Sequence, residues 1–130
     1  MKLQELSIGN WVYNKHHGKA IQITPFDFFT HTHKEEKQCF AGNPNLVSGK
    51  DFEPIPITPE ILEKNGWKFD GCYSNTVDSI GRMIEYYHFE GILRLYIDDK
   101  PYTTIGPGQK YIHQLQNALT LCGIEKEIEL

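Results

Sequence analysis

Apolar and polar residues alternate in two short runs near the start of the chain. Residues 6–13 (LSIGNWVY) alternate but change phase at Gly9 and Asn10, which predicts a bulged strand. Residues 19–24 (KAIQIT) alternate without interruption, which predicts a half-buried strand. The polar residues 14–18 between them are typical of a turn, so we expect a β-hairpin.

Short extended segments and turn signals continue up to a proline-rich stretch. Residues 51–58 contain Pro54 and Pro56, and a proline lacks the N–H group that a central strand needs. We therefore expect this stretch at a sheet edge or as an extended connector. The whole pattern predicts an SH3-like small β-barrel over residues 1–57.

The following part of the chain begins with a helix signal and continues with strands. Thr58 is a hydroxyl N-cap ahead of Pro59, and Gly66 is a stop signal, which together predict a helix of about two turns. Four strand-like segments separated by turn residues then predict an antiparallel meander: residues 67–74, 83–89, 92–98 and 102–105.

The third of these segments indicates which side of the meander is buried. Leu93, Leu95 and Ile97 share one face of the predicted strand. The opposite face carries polar or amphipathic residues, namely Arg94, Tyr96 and Asp98. We therefore expect one face of the meander in the core and the other in solvent.

An amphipathic helix is predicted near the end of the chain. At about 100° per residue, its apolar residues fall within an arc of about 120°: Tyr111, Ile112, Leu115, Ala118, Leu119 and Cys122. The far face carries only uncharged polar residues: His113, Gln116, Asn117 and Thr120. The predicted fold class is thus α+β, with an SH3-like unit at 1–57. A hinge helix, meander and covering helix follow at 58–130, either as a second lobe or within one compact domain.

Composition and charge exclude several classes of protein. The 130 residues are 39% hydrophobic and 23% charged, which is typical of a folded, soluble chain. The net charge of −4 disfavours nucleic-acid binding, which needs a clustered excess of Lys and Arg. We expect neither a signal peptide nor a membrane span, because no stretch of the sequence is long and apolar enough for either. Its three cysteines form no CxxC pair, so we expect reduced thiols and a cytoplasmic protein.

His31 and His33 are the candidates for a metal site. They flank one residue, so on a strand both imidazoles would point the same way, as in a two-ligand metal clip. The surrounding sequence HTHKEEK is also that of a plain solvated loop. We expect the loop and no cofactor, and no residue pattern indicates a catalytic site.

Two surfaces are candidates for binding a partner. One is the strand that carries Trp11 and Tyr13, and the other is the uncharged helix face that includes His113, Gln116 and Asn117. Amide, imidazole and hydroxyl groups can be buried without the desolvation cost of a charge, so the helix face is expected either to pack internally against the first lobe or to contact a partner. The expected function is a non-catalytic binding or adaptor module that contacts a protein partner or forms a homo-oligomer. A small metal-dependent or hydrolytic enzyme that uses His31 and His33 is the alternative.

Three motifs resemble those of one protein family. They are LSIGNWV at residues 6–12, PIPITPEILEKNGW at residues 54–67 and YIHQLQ at residues 111–116. These resemble the LxIGNxV, PIPLTxEILxKNGF and YVHQLQ motifs of a family of short hypothetical proteins from Bacteroides-like gut bacteria. The resemblance implies a shared fold type and a bacterial origin, and it implies no activity. We expect the binding module to belong to a bacterial or mobile-element protein family.

Overall fold

The chain divides into two compact units, Met1–Ile55 and Pro56–Leu130. The computed structural model describes residues 5–15, 17–25, 52–76 and 81–130. The fold class is α+β, with two antiparallel sheets and a C-terminal helix, which confirms the predicted class. The predicted domain boundary lies between residues 57 and 58.

Each unit has its own set of elements. The first unit contains β1 (Trp11–Asn14), β2 (Lys19–Gln22) and β3 (Phe52–Glu53). The second unit begins with α1 (Pro59–Lys64) and ends with α2 (Ile112–Leu121). Between these helices lie β4 (Lys68–Asp70), β5 (Cys72–Thr76), β6 (Arg82–Tyr87), β7 (Ile92–Ile97) and β8 (Lys100–Ile105).

The first two strands form the predicted antiparallel hairpin. The first strand begins at Trp11, later than predicted, because the Asn10 side chain accepts a hydrogen bond from the Ser7 N–H at 2.7 Å and holds these residues in a turn. Val12 is buried and Tyr13 is 38% exposed, so it is Val12 that faces the core.

The third strand pairs with β1 and lies at the edge of the sheet, whose order is β2-β1-β3. Phe52 of β3 packs with Leu6, Val12 and Ile23 in a small apolar core. An edge position agrees with the expectation from the nearby prolines. Among the described residues this sheet is open and is not closed into a barrel, so the SH3-like barrel stays a prediction.

Helix α1 forms where the sequence predicts it. The Thr58 hydroxyl accepts a hydrogen bond from the Ile61 N–H at 3.3 Å, and Pro59 occupies the first helical position. Gly66 follows the helix with a φ of 85°, the left-handed conformation that commonly ends helices. Leu62 is the buried residue of this short helix.

The second sheet has five antiparallel strands in the order β4-β5-β6-β7-β8. The single strand predicted for residues 67–74 is wrong. Gly71 has a φ of 75° and reverses the chain, so that Asp70 pairs with Cys72 across a tight turn. The predicted four-stranded meander therefore gains a short additional edge strand.

Helix α2 covers one face of this sheet. Ala118 and Leu119 of the helix line a small cavity together with Ile84, Leu93 and Leu95 of the central strands. All five side chains are buried. Because full burial of a leucine or isoleucine contributes about 1.5–3 kcal/mol, this contact is a major source of stability in the unit.

The segment after α2 returns to the end of α1. The Asn65 side chain donates to the Glu129 carbonyl at 2.7 Å and accepts from the Glu129 N–H at 2.7 Å, as a neighbouring strand would. Ile124 and Ile128 of this segment are buried. Residues 124–130 are therefore an integral part of the second unit.

We expect Gly91→Ala to destabilise the protein more than Gly71→Ala. Both glycines have positive φ values, so each alanine costs about 1–2 kcal/mol of backbone strain. At position 91 the added Cβ would also lie 2.7 Å from the Gln109 backbone nitrogen, whereas at position 71 nothing lies within 4 Å. Overpacking adds about 1–3 kcal/mol. Chemical denaturation measures both variants, and equal losses would contradict the close approach of residues 91 and 109.

Candidate functional site

The face of the second sheet opposite α2 carries a continuous set of polar and aromatic side chains. Successive residues of a strand point to opposite faces, and Tyr86, Leu93 and Leu95 are buried on the helix side. Their neighbours therefore lie on the other side, which we name the outer face: Lys68, Asp70, Cys72, Ser74, Thr76, Met83, Glu85, Tyr87, Ile92, Arg94, Tyr96 and Thr104.

The outer face is ordered in rows that cross the strands. Its central row runs from β5 to β8 through cross-strand partners: Ser74, Glu85, Arg94 and Thr104. The flanking rows carry apolar and aromatic pairs on β6 and β7: Tyr87 with Ile92, and Met83 with Tyr96. Arg94 is exposed, and Glu85, Tyr87 and Tyr96 are half-buried.

The Glu85 carboxylate is held by hydroxyl and thiol groups of its neighbours. The Tyr87 hydroxyl donates to Oε1 at 3.2 Å, and the Cys72 thiol donates to Oε2 with an Sγ–O distance of 3.3 Å. The Arg94 guanidinium lies over the Tyr87 ring, 5.0 Å from its centroid. These contacts fix four side chains of the outer face relative to one another.

The same contacts set the protonation state of the network. Partial burial opposes ionisation of Glu85, but hydrogen bonds from Tyr96, Cys72 and Tyr87 and the charge of Arg94 outweigh it, so the pKa of Glu85 is lowered. Burial and the adjacent Glu85 carboxylate raise the pKa of the Cys72 thiol. The hydrogen bond to Glu85 raises the pKa of Tyr96, and burial raises that of Tyr87. At neutral pH the outer face therefore presents a carboxylate, a guanidinium, two phenols and a protonated thiol.

These protonation states suit recognition better than catalysis. A catalytic cysteine needs a lowered pKa, whereas burial raises the pKa of both Cys72 and Cys122. A carboxylate with a lowered pKa, such as Glu85, is a poor general base at neutral pH. The network is instead a set of fixed donors and acceptors.

The predicted binding residues of the first unit lie on β1. Trp11 is half-buried, and Tyr13 is exposed beside Glu53 of β3. Glu53 forms an exposed ion pair with Lys15 at 3.1 Å. Trp11 and Tyr13 therefore stay candidate contact residues within this unit.

His113, predicted to lie on the far face of the last helix, is buried rather than exposed. The His113 side chain is only 2% exposed. Its ring stacks on Tyr111, with centroids 6.1 Å apart and planes 10° apart. The start of the helix is also flanked by another segment, since the Ile57 N–H donates to the Lys110 carbonyl at 2.9 Å. His113 is thus part of the interior.

The other residues of the predicted helix surface remain accessible. Gln116 and Asn117 are half-buried, and Thr120 is exposed with its hydroxyl donating to the Gln116 carbonyl at 3.1 Å. Part of the hydrogen-bonding capacity of this face is therefore used within the helix itself. It offers a smaller polar surface than the sequence predicts.

The metal candidates His31 and His33 lie outside the described residues. In the part of the chain that the structure describes, no three His, Cys, Asp or Glu side chains are grouped so that they could hold a metal ion. The same part contains no helix with the length and apolar character needed to cross a bilayer.

The Glu85 network is not predictable as a site from the sequence pattern. Arg94 and Tyr96 were assigned to the solvent side of their strand, and this was the one available signal. The other members, Cys72, Glu85 and Tyr87, come from different strands, and only the pairing register brings them together.

Replacing Glu85 with glutamine should flatten the acid side of the stability profile. The folded-state pKa of Glu85 lies below the ordinary value of about 4.3, so its contribution is present above that pH and is lost as the pH falls through the lower folded value. Urea unfolding between about pH 3 and 6 should show a smaller decline for Glu85→Gln than for the wild type. The exposed Glu63→Gln is the control, and identical slopes in all three proteins would contradict a lowered pKa.

Alkylation should show that the Glu85 carboxylate suppresses the reactivity of Cys72. Iodoacetamide reacts with the thiolate, and the carboxylate disfavours the thiolate at Cys72. Glu85→Gln should therefore speed alkylation of Cys72 at pH 7.5 by about threefold or more, since one pKa unit is tenfold in thiolate. Peptide-resolved mass spectrometry measures the rates, with Cys122 as an internal control. An unchanged Cys72 rate would refute the coupling.

The comparisons with known proteins leave the family open. A scan against protein-family models and searches of curated proteins and of solved structures found no match. The resemblance to the short hypothetical proteins of Bacteroides-like bacteria stays a prediction. The evidence that bears on function is therefore the geometry of the outer face.

Proposed function

We propose that this chain is a non-catalytic binding module that recognises a protein through the outer face of its second sheet. The observation that best supports this proposal is the cluster of Tyr87, Arg94 and Tyr96 around the Glu85 carboxylate on an accessible face. Its geometry supplies aromatic surface, one guanidinium and one carboxylate in fixed positions.

The residue types of the outer face favour a protein partner. Tyrosine, arginine and methionine are enriched at protein interfaces, and tyrosine and arginine carry much of the binding energy there. The outer face combines two tyrosines, one arginine and one methionine with small hydroxyl residues. An ordinary solvated strand face would instead be rich in Lys and Glu.

The hydrogen-bonded arrangement also lowers the cost of binding. Immobilising a flexible side chain at an interface costs about 0.5–1.5 kcal/mol. Tyr87 and Glu85 are already hydrogen-bonded, and Arg94 already rests on the Tyr87 ring. These side chains are therefore already ordered in the folded protein, and less free energy is lost in immobilising them when a partner binds.

The charge of the outer face disfavours a nucleic-acid ligand. Glu85 and Arg94 cancel each other in adjacent positions of the central row. A phosphate backbone requires several clustered cations, and the whole chain carries a net charge of −4. A polar, nearly neutral protein surface is the better complement.

The proposal retains three finer predictions for the rest of the chain. The first unit is an SH3-like β unit. Its β-hairpin and third antiparallel strand support this prediction. The protein is a cytoplasmic adaptor of a bacterial or mobile-element family. Trp11, Tyr13, Gln116 and Asn117 are secondary candidate contacts.

Replacing a single outer-face side chain with alanine should strongly reduce the amount of partner protein captured from a native bacterial lysate. Loss of an interface hot spot costs about 2 kcal/mol or more, so Arg94→Ala and Tyr96→Ala should each reduce the retained partner at least about tenfold. Quantitative mass spectrometry of nuclease-treated eluates from the tagged full chain measures this. Phe89→Ala, an exposed aromatic of the same unit outside the outer face, is the matched control.

Circular dichroism establishes that each variant is folded before its capture is compared. Equal capture by the wild type and both outer-face variants would contradict the proposal. So would an equal loss in the Phe89→Ala control, because that loss would not depend on the outer face.

A further inference from the structure

We infer that the partner of the outer face is a second copy of this chain, bound face to face about a two-fold axis. This inference rests on the proposed function and names the partner of the same site. It is carried by the self-complementarity of the outer face, which follows from its cross-strand pairs.

The required two-fold axis runs along the strands, midway between β6 and β7. This rotation places β6 of one copy over β7 of the other, and β5 over β8. Cross-strand partners share the same level along the strands, so each outer-face residue of β6 or β7 meets the equivalent of its own cross-strand partner in the other copy. Two aligned sheets pack in this way about 10 Å apart.

Two ion pairs form at the centre of this arrangement. Glu85 of each copy faces Arg94 of the other copy, because these residues are paired across β6 and β7. Both lie in the central row, where the rotation of about 30° between packed sheets displaces residues least. Charge-assisted hydrogen bonds between carboxylate and guanidinium are the strong ones in proteins.

The flanking rows are complementary as well. There, apolar side chains meet aromatic ones: Tyr87 faces Ile92, and Met83 faces Tyr96. At the two ends of the central row, the Ser74 hydroxyl faces that of Thr104. Lys68 and Asp70 on β4 would extend beyond β8 of the other copy and oppose no charge there. Among the described residues of the outer face, no like charges meet across the axis.

Charge complementarity favours a second copy over a strongly charged partner. An acidic surface would repel Glu85, and a basic surface would repel Arg94, since the two side chains are neighbours. A second copy satisfies both at once. A second copy also presents its side chains at the same levels along the strands, so one rotation accounts for all the pairings.

The area available predicts a weak dimer. Four strands about 4.8 Å apart and six residues of about 3.4 Å each give roughly 400 Å² of projected area per copy. This places the contact at the low end of specific interfaces, where association is transient. We expect a dissociation constant in the micromolar range.

Charge reversal at the central pair tests the dimer. Sedimentation velocity of the full chain should show a monomer–dimer equilibrium between low micromolar and submillimolar concentrations. Glu85→Arg alone and Arg94→Glu alone each place like charges opposite one another, so each should weaken association about a hundredfold. Glu90→Arg, an exposed acid in the turn between β6 and β7, should change the dissociation constant less than about twofold.

Mixing the two weakened variants separates a lost interface from a damaged fold. In the mixture, the new guanidinium at position 85 faces the new carboxylate at position 94, and the unchanged Arg94 faces the unchanged Glu85. Heterodimers should therefore return to within about tenfold of the wild-type affinity. A wild type that stays monomeric throughout, or a mixture of folded variants that does not associate, overturns the inference.

The two proposals fail in different ways. If the wild type does not self-associate but Arg94→Ala still removes capture of another protein, the second copy is wrong and the binding function stands. If neither self-association nor capture depends on Arg94 and Tyr96, both are wrong.

Discussion

The burial of the apolar stripe of α2 against one side of the five-stranded sheet is the contact on which the second unit depends. Ile112, Leu115, Ala118 and Leu119 are all buried, and the last two line a cavity with residues of β6 and β7. Once one side of the sheet is closed in this way, alternation along each strand assigns the remaining side chains to the other side. The outer face is therefore a direct consequence of core packing.

How much of this the sequence predicts depends on how local each signal is. Thr58, Pro59 and Gly66 define α1 within nine residues, and the stripe of α2 repeats along one helix, so both helices were predicted. Gly71 was not recognised as a turn, although Asp70 and Gly71 form a common turn dipeptide, because a glycine within a strand-like segment also occurs inside strands. The sequence left open whether the face with His113 is buried, because burial depends on tertiary packing that no local spacing encodes.

The Glu85 network shows why the candidate site was not predicted in the same way. Its members lie on β5, β6 and β7, and no spacing along the chain relates Cys72 to Glu85 or Glu85 to Arg94. The register that joins them is fixed by the apolar residues on the opposite face. The resulting protonation states are a carboxylate beside a protonated thiol and two phenols, and they support the proposal that this cluster is a recognition surface.

The most direct test of the account is an NMR titration in which the assigned, isotope-labelled chain is observed at rising total protein concentration. If the outer faces pair, we expect concentration-dependent shifts mainly on the outer face, at Ser74, Glu85, Arg94 and Thr104, and small shifts along α2. Shifts confined to α2 or to β1, or none up to submillimolar concentration, would contradict self-association through the outer face.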